Sequence, residues 1–111
     1  MYQFISEQSI YQYFGEDEPE MIREMVQIIL ETNINDLKRL DIFYEIGDFI
    51  SIKKRCHKAK PTMIYIGAQK TRKILEEIEK DLTNYQELNS NLLTHLIQIE
   101  TELNQFLKEL N

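Results

Sequence analysis

Apolar residues recur along most of the chain three or four positions apart, the spacing of a helix face. No stretch shows the alternation of a strand. The opening stretch carries Tyr2, Phe4, Ile5, Ile10, Tyr11 and Phe14. Ser6 suits the cap of a short helix, Glu7 to Phe14, lying across the others as a lid. Gly15-Glu16-Asp17-Glu18-Pro19 is a break. Asp17 can cap the next helix, with Pro19 in its first turn and the acids near its positive end. Ile22, Met25, Ile29, Leu37, Leu40 and Tyr44 predict that this helix runs from about Glu18 to about Tyr44. Asn33 and Asn35 weaken its middle without breaking it. Ile46-Gly47-Asp48 is the next turn, with Gly47 ending one helix and Asp48 capping the following one, Phe49 to about Tyr65. Gly67 separates that helix from a fourth, roughly Ala68 to Leu82, whose inner side holds Thr71, Ile74, Leu75, Ile78 and Leu82. The polar run Asn84 to Asn91 predicts a turn. Leu92, Leu96, Ile99, Leu103, Phe106 and Leu110 then form a bundle seam on a last helix, about Ser90 to Leu110. Short connections make consecutive helices antiparallel neighbours. The expected fold is all-α: an up-down antiparallel four-helix bundle with a short extra N-terminal helix, one domain over residues 1–111.

Composition narrows the function classes. The chain has 111 residues, enough for one core and too few for a second catalytic lobe. Its formal net charge of −6 opposes non-specific nucleic-acid binding. One cysteine, Cys56, allows no intrachain disulfide and no cysteine metal cluster. With no signal peptide in view, this points to a reducing cytoplasm. Apolar runs such as Val26 to Leu30 are far too short to cross a bilayer. The three glycines, Gly15, Gly47 and Gly67, lie at helix ends, and no Gly-rich loop exists to cradle ATP.

Candidate chemistry concentrates in one stretch, Arg55-Cys56-His57-Lys58-Ala59-Lys60-Pro61-Thr62-Met63-Ile64-Tyr65-Ile66-Gly67-Ala68. At about 100° per residue, Phe49, Ile52, Cys56, Ala59, Met63 and Ile66 share one stripe that should face the core. Cys56 therefore reads as buried and inert rather than as a partner for its neighbour. His57 sits beside that stripe with Ile50, Lys53, Lys54, Lys60, Pro61 and Ile64; Lys58 adds charge nearby. A solvated face does not need two isoleucines, and a core face does not hold three lysines. Apolar area among lysines around a histidine reads as a docking surface for an acidic partner.

A neutral imidazole, with a reference pKa of about 6.5, is a competent nucleophile near neutral pH. Phosphoryl transfer asks a protein mainly for positioning and charge stabilisation. Lys60, one turn on, can bring its ammonium to a phosphate on His57. Pro61 lacks the N–H that would bond the His57 carbonyl, so a local bend or a solvated carbonyl is expected there. His95, among Leu92, Leu93, Leu96 and Ile97, reads as structural, and two distant histidines without a spaced carboxylate make no metal site.

The run from His57 through Lys60 and Pro61 to Gly67 resembles the signature of the histidine-containing phosphotransfer (HPt) domain. In that family lysine follows the phosphorylated histidine at +3, usually glycine at +4, and glycine again at +10. Pro61 departs from the pattern. The Gly47-Asp48 turn before the histidine helix, and the long helix opening after Gly15-Glu16-Asp17, are also similar to the family. The resemblance implies a cytoplasmic, monomeric phosphorelay carrier, not an enzyme in its own right. It implies a phosphoryl group passed through His57 between receiver domains of hybrid sensor histidine kinases and response regulators. Lys60 would support the phosphate, with Ile50, Lys53, Lys54, Lys58, Pro61 and Ile64 for docking and Gly67 as a structural element. The chain would carry no cofactor or metal, any Mg²⁺ belonging to the receiver, and would engage neither nucleic acid nor membrane. Met1 and the compact ends favour a free-standing protein over a piece of a hybrid kinase. Two other readings stand beside this one: a helical interaction module of the same shape that relays nothing, and an enzyme using His57 as general base, for which no partner spacing is evident.

Overall fold

Ser6 accepts a hydrogen bond from the Ser9 N–H and so opens α1, Glu7–Phe14, as the sequence predicts. The computed structural model describes residues 2–83 and 85–110. Among these every regular element is a helix. α2 spans Pro19–Ile29, with Pro19 in its first turn. Its cap position is Glu18, not Asp17, and no side chain makes the capping bond.

The predicted continuous helix to Tyr44 is interrupted twice. Leu30–Ile34 forms a π-helical turn, followed by the short α3, Asn35–Leu37; a break at Lys38 and Arg39 precedes α4, Leu40–Glu45. The Thr32 hydroxyl donates to the Ile28 carbonyl at 2.6 Å and the Asn35 amide to the Glu31 carbonyl at 3.1 Å, but Thr94, Thr101 and Asn104 make the same bonds in the unbroken final helix, so these bonds alone do not open the turn. The wide turn instead solves a spacing problem. Ile29 and Ile34 are both buried yet five residues apart, which an α-helix would place well off one face and a π turn restores. On α2 the buried face is Ile22, Val26 and Ile29; Met25, expected inside, is only half-buried.

α5, Phe49–Tyr65, begins at Asp48, whose carboxylate accepts from the Ser51 N–H and hydroxyl; these bonds hold the acid below its usual pKa. The helix passes Pro61 without interruption. Ile52, Cys56, Ala59, Met63 and Ile66 are buried as expected, whereas Phe49, the first residue of the helix, is 42% exposed. Both flanking turns end on left-handed glycines, Gly47 (φ 72°) and Gly67 (φ 75°), with paired reverse bonds: Asp48 N–H to Phe43 O and Gly47 N–H to Tyr44 O, then Ala68 N–H to Met63 O and Gly67 N–H to Ile64 O.

α6, Gln69–Lys80, returns along α5. Asp81 closes the turn after it by accepting from the Thr83 backbone and hydroxyl. The final helix α7, Tyr85–Glu109, starts well before the expected Ser90. Of the predicted turn Asn84 to Asn91, Asn84 lies outside the described residues and the rest is helix. Tyr85 and Leu88 extend the seam backward, and the polar residues between them are its outer face. Tyr44 stacks on Tyr85 with ring centroids 4.5 Å apart, joining α4 to the start of α7.

α6 packs on α5 and α7, α4 on α5 and α7, and α1 on α2 and α5. One apolar cluster runs through all of them, from Ile5 and Ile10 to Leu103 and Phe106. The N-terminal strap is tied down as well: Ser6 N–H bonds the Ile66 carbonyl at 2.8 Å, and the Glu102 carboxylate accepts from the Gln3, Phe4 and Ile5 backbones. Among the described residues no helix is long and apolar enough to cross a membrane.

Candidate functional site

α5 carries Lys53, Lys54, Arg55, Lys58 and Lys60 and not one carboxylate, in a chain whose net charge is −6. Burial of Cys56 and Ala59 fixes the roll of the helix and turns His57 outward, with its side chain 77% exposed. Ile50, seven residues earlier and therefore on nearly the same face, is 70% exposed. Pro61, Lys53, Lys54 and Lys58 are exposed too, while Ile64 is half-buried. The residues singled out by sequence thus share one accessible side of one helix. Near the Gly47 turn Ile46 and Phe49 are exposed as well.

Lys60 is not a free surface lysine. Its side chain is 23% exposed, and its Nζ lies 2.8 Å from Glu79 Oε2 on α6. The other oxygen of the same carboxylate, Oε1, lies 3.2 Å from His57 Nδ1. Glu79 is itself only 19% exposed. His57, Glu79 and Lys60 therefore form one bonded unit across α5 and α6, with the imidazole as its exposed member.

Sequence reading missed Glu79 because it lies on another helix. One signal could have found it: a helical hairpin folding back at Gly67 brings positions nearly equidistant from the turn level with each other, and His57 and Glu79 are such a pair. Gly67 is needed for a second reason. A Cβ there would collide with Ser6 Cβ, so only glycine lets the N-terminal strap cross the end of α5.

On the opposite flank Arg55 pairs with Asp36 at 3.1 Å and lies over the Phe43 ring, 4.4 Å from its centroid. Arg55 thereby ties α5 to α3 and α4. A cavity of about 280 Å³ opens beside it, lined by Asp36, Ser51, Lys54, Arg55 and Lys58. Among the described residues no ion pair engages Lys53, Lys54 or Lys58.

Burial pushes the Cys56 thiol up to about 12; the nearby Glu79 charge adds to this and Lys60 partly offsets it. The thiol stays protonated and core-facing, as expected of a buried, inert cysteine. His95 is half-buried on α7. Its Nδ1 lies 2.9 Å from the Thr71 hydroxyl and its ring meets Phe4 edge-on at 4.9 Å, a packing role as the sequence suggests. No group of His, Cys, Asp and Glu suited to holding a metal occurs among the described residues.

Such a site can present a nucleophilic ring nitrogen to an approaching macromolecule, with positive charge on both sides and an ammonium one turn away. Comparison of the chain with protein-family models, with curated proteins and with solved structures finds no match.

Proposed function

We propose that the protein is a histidine phosphocarrier of the HPt type. It would accept a phosphoryl group on His57 from a receiver-domain aspartate and pass it to another receiver. The observation that carries this reading is the 77% exposure of His57 on a helix bearing five cations and no carboxylate, with Lys60 held beside it. The HPt-like signature from His57 to Gly67 agrees with that placement, and so does the packing, read as an antiparallel four-helix bundle with α1 added. In this reading α2 through α4 act as one interrupted helix, and α5, α6 and α7 are the other three.

The partner approaches along Ile50, Lys53, Lys54, Pro61 and Ile64, with Lys58 on the flank. The isoleucines and Pro61 supply contact area without a bulky side chain in the path to the imidazole. The lysines attract the acidic phosphorylation pocket of a receiver, which brings its own Mg²⁺. The imidazole attacks phosphorus in line, and Lys60 turns from Glu79 to the incoming phosphoryl oxygens. The chain needs no nucleotide, since the phosphoryl group arrives already on a protein, and it works as a cytoplasmic monomer without a catalytic cycle of its own.

The test is incubation with a phosphorylated receiver domain, read by intact mass and by acid and alkali stability. One added phosphate, acid-labile and alkali-stable, absent from a folded His57→Gln variant, is the expected result. Lys60→Ala should slow transfer about tenfold, roughly 1.4 kcal/mol of barrier, without abolishing it. No uptake by the folded protein from a panel of receivers would favour a helical interaction module that uses the same face without relaying phosphate.

A further inference from the structure

Two buried side-chain polar atoms among the described residues lack a hydrogen-bond partner, the Tyr44 hydroxyl and Asn89 Oδ1, and both belong to residues that line one cavity. The cavity, about 370 Å³, lies between α4 and the start of α7. Asp41, Tyr44 and Glu45 are three and four positions apart on α4, and Tyr85, Asn89 and Leu93 are four apart on α7, so each helix gives the cavity one face. The stacked rings of Tyr44 and Tyr85 join the two helices there, and Asp41 and Glu45 are exposed at the rim. Among the described residues no lysine or arginine lines it. Leaving a buried polar atom unpaired destabilises a fold, and native chains rarely do so without a reason. Two such atoms at one cavity with aromatic walls and negative charge are the ingredients of a ligand site.

The chemistry that these atoms ask for is narrow. A carbonyl oxygen such as Asn89 Oδ1 can only accept a hydrogen bond. Tyr44 is 8% exposed; burial, and to a lesser degree the neighbouring Cys56, pushes its pKa up to about 12. The phenol therefore keeps its proton, and its oxygen can still accept. A primary ammonium carries three donors and no acceptor, so one nitrogen can serve the Asn89 oxygen, the Tyr44 oxygen and a rim carboxylate. Its charge is matched by Asp41 and Glu45 and is drawn to tyrosine faces. An anion would meet two carboxylates and a carbonyl oxygen, and a neutral alcohol brings one donor to two acceptors.

We propose that the cavity between α4 and α7 binds a small organic ammonium ion, a primary amine on a short apolar or aromatic body, held by Tyr44 and Asn89 with Asp41 and Glu45 at the rim. The site is built from other residues than the His57 face, and it stands whether or not His57 carries a phosphoryl group.

The test is a titration of the full ¹⁵N-labelled chain with benzylamine, a cation at pH 7, followed by amide chemical shifts. Saturable shifts should gather at the Asn89 side chain and around Tyr44 and Tyr85, with a Kd of about 1 mM or tighter. Benzyl alcohol, which has the same body without the charge, and benzoate, which has the opposite charge, should bind at least about tenfold more weakly. Tyr44→Phe and the Asp41→Asn/Glu45→Gln double variant should each weaken benzylamine about tenfold. Tyr44→Phe should also melt, without ligand, no lower than the wild type, because the hydroxyl it removes has no partner. Equal affinity for the three probes, saturable shifts only at other surfaces, no saturable shifts with benzylamine, or folded variants that bind as the wild type does would each overturn the proposal. So would a lower melting temperature of Tyr44→Phe, which would show that ordered water already satisfies the hydroxyl.

Discussion

The two histidines of the chain stand in opposite surroundings, and their chemistry divides accordingly. His57 projects from a cationic helix with one nitrogen bonded and the other edge free. His95 packs between the Thr71 hydroxyl and the Phe4 ring, and burial, then the Lys70 charge, lowers its pKa below the usual imidazole range. Its folded pKa is therefore depressed, and the unfolded chain binds the proton more readily. The resulting stability is present above the unfolded value and is lost as pH falls through it toward the folded pKa. The urea midpoint of the wild type should accordingly drop as pH is lowered from about 7 to about 5, and His95→Gln should flatten that dependence. Equal pH dependence in both proteins would show that protonation of His95 does not contribute. At this scale the sequence was informative wherever one helix holds both partners: the His57 and Lys60 spacing, the core-facing Cys56 and the Asp48 cap could all be read from periodicity. Glu79 could not, because its role depends on how α6 lies against α5.

Helix boundaries follow the same division between local and tertiary causes. α1 and α5 were legible to the residue, since Ser6, Asp48 and the glycines signal ends by local chemistry. The start of α7 was not, because Gln86, Glu87 and Asn89 look like a loop until Tyr85 and Leu88 are seen to pack inward. The π turn after Ile29 was also hidden, since it answers to the joint burial of Ile29 and Ile34, five residues apart, rather than to local propensity. Gly47 and Gly67 offer a controlled comparison between two turns of one design. Both are left-handed, but nothing lies within 4 Å of a Cβ built at Gly47, whereas one at Gly67 meets Ser6. Gly47→Ala should cost about 1–2 kcal/mol, the backbone penalty alone. Gly67→Ala should cost clearly more, since the strap carrying Ser6 must move, and thermal unfolding of the two variants measures the difference. Equal losses would mean the strap yields freely.

The whole molecule is acidic, yet one side of it is not. Five of its thirteen Lys and Arg side chains lie on α5, and three of these, Lys53, Lys54 and Lys58, are exposed next to His57. A field so divided favours one approach direction and disfavours association of like faces. Association with an acidic partner should therefore be salt-sensitive. Raising ionic strength from about 50 to about 500 mM shortens the screening length to a few ångström and should slow second-order transfer severalfold. The Lys53→Glu/Lys54→Glu double variant should lose about tenfold in the same rate with little change in thermal stability, because among the described residues neither lysine forms an ion pair and Lys54 reaches Asp48 only through its field. A rate indifferent to both salt and charge reversal would remove the electrostatic part of the docking argument.

The π turn at Leu30–Ile34 has one more consequence, which concerns chain length rather than contacts. Ile29 and Ile34 are five residues apart, and removing any one residue between them makes the separate segments four apart, the ordinary α spacing. Both buried faces would remain in phase on either side of the missing residue. The turn is thus a place where a single-residue gap is silent to the core, and deletion of Asn33 should yield a folded chain with one straighter helix, detectable as an undiminished cooperative melt. Genes for such a helix could gain or lose one codon there while every other buried side chain keeps its place.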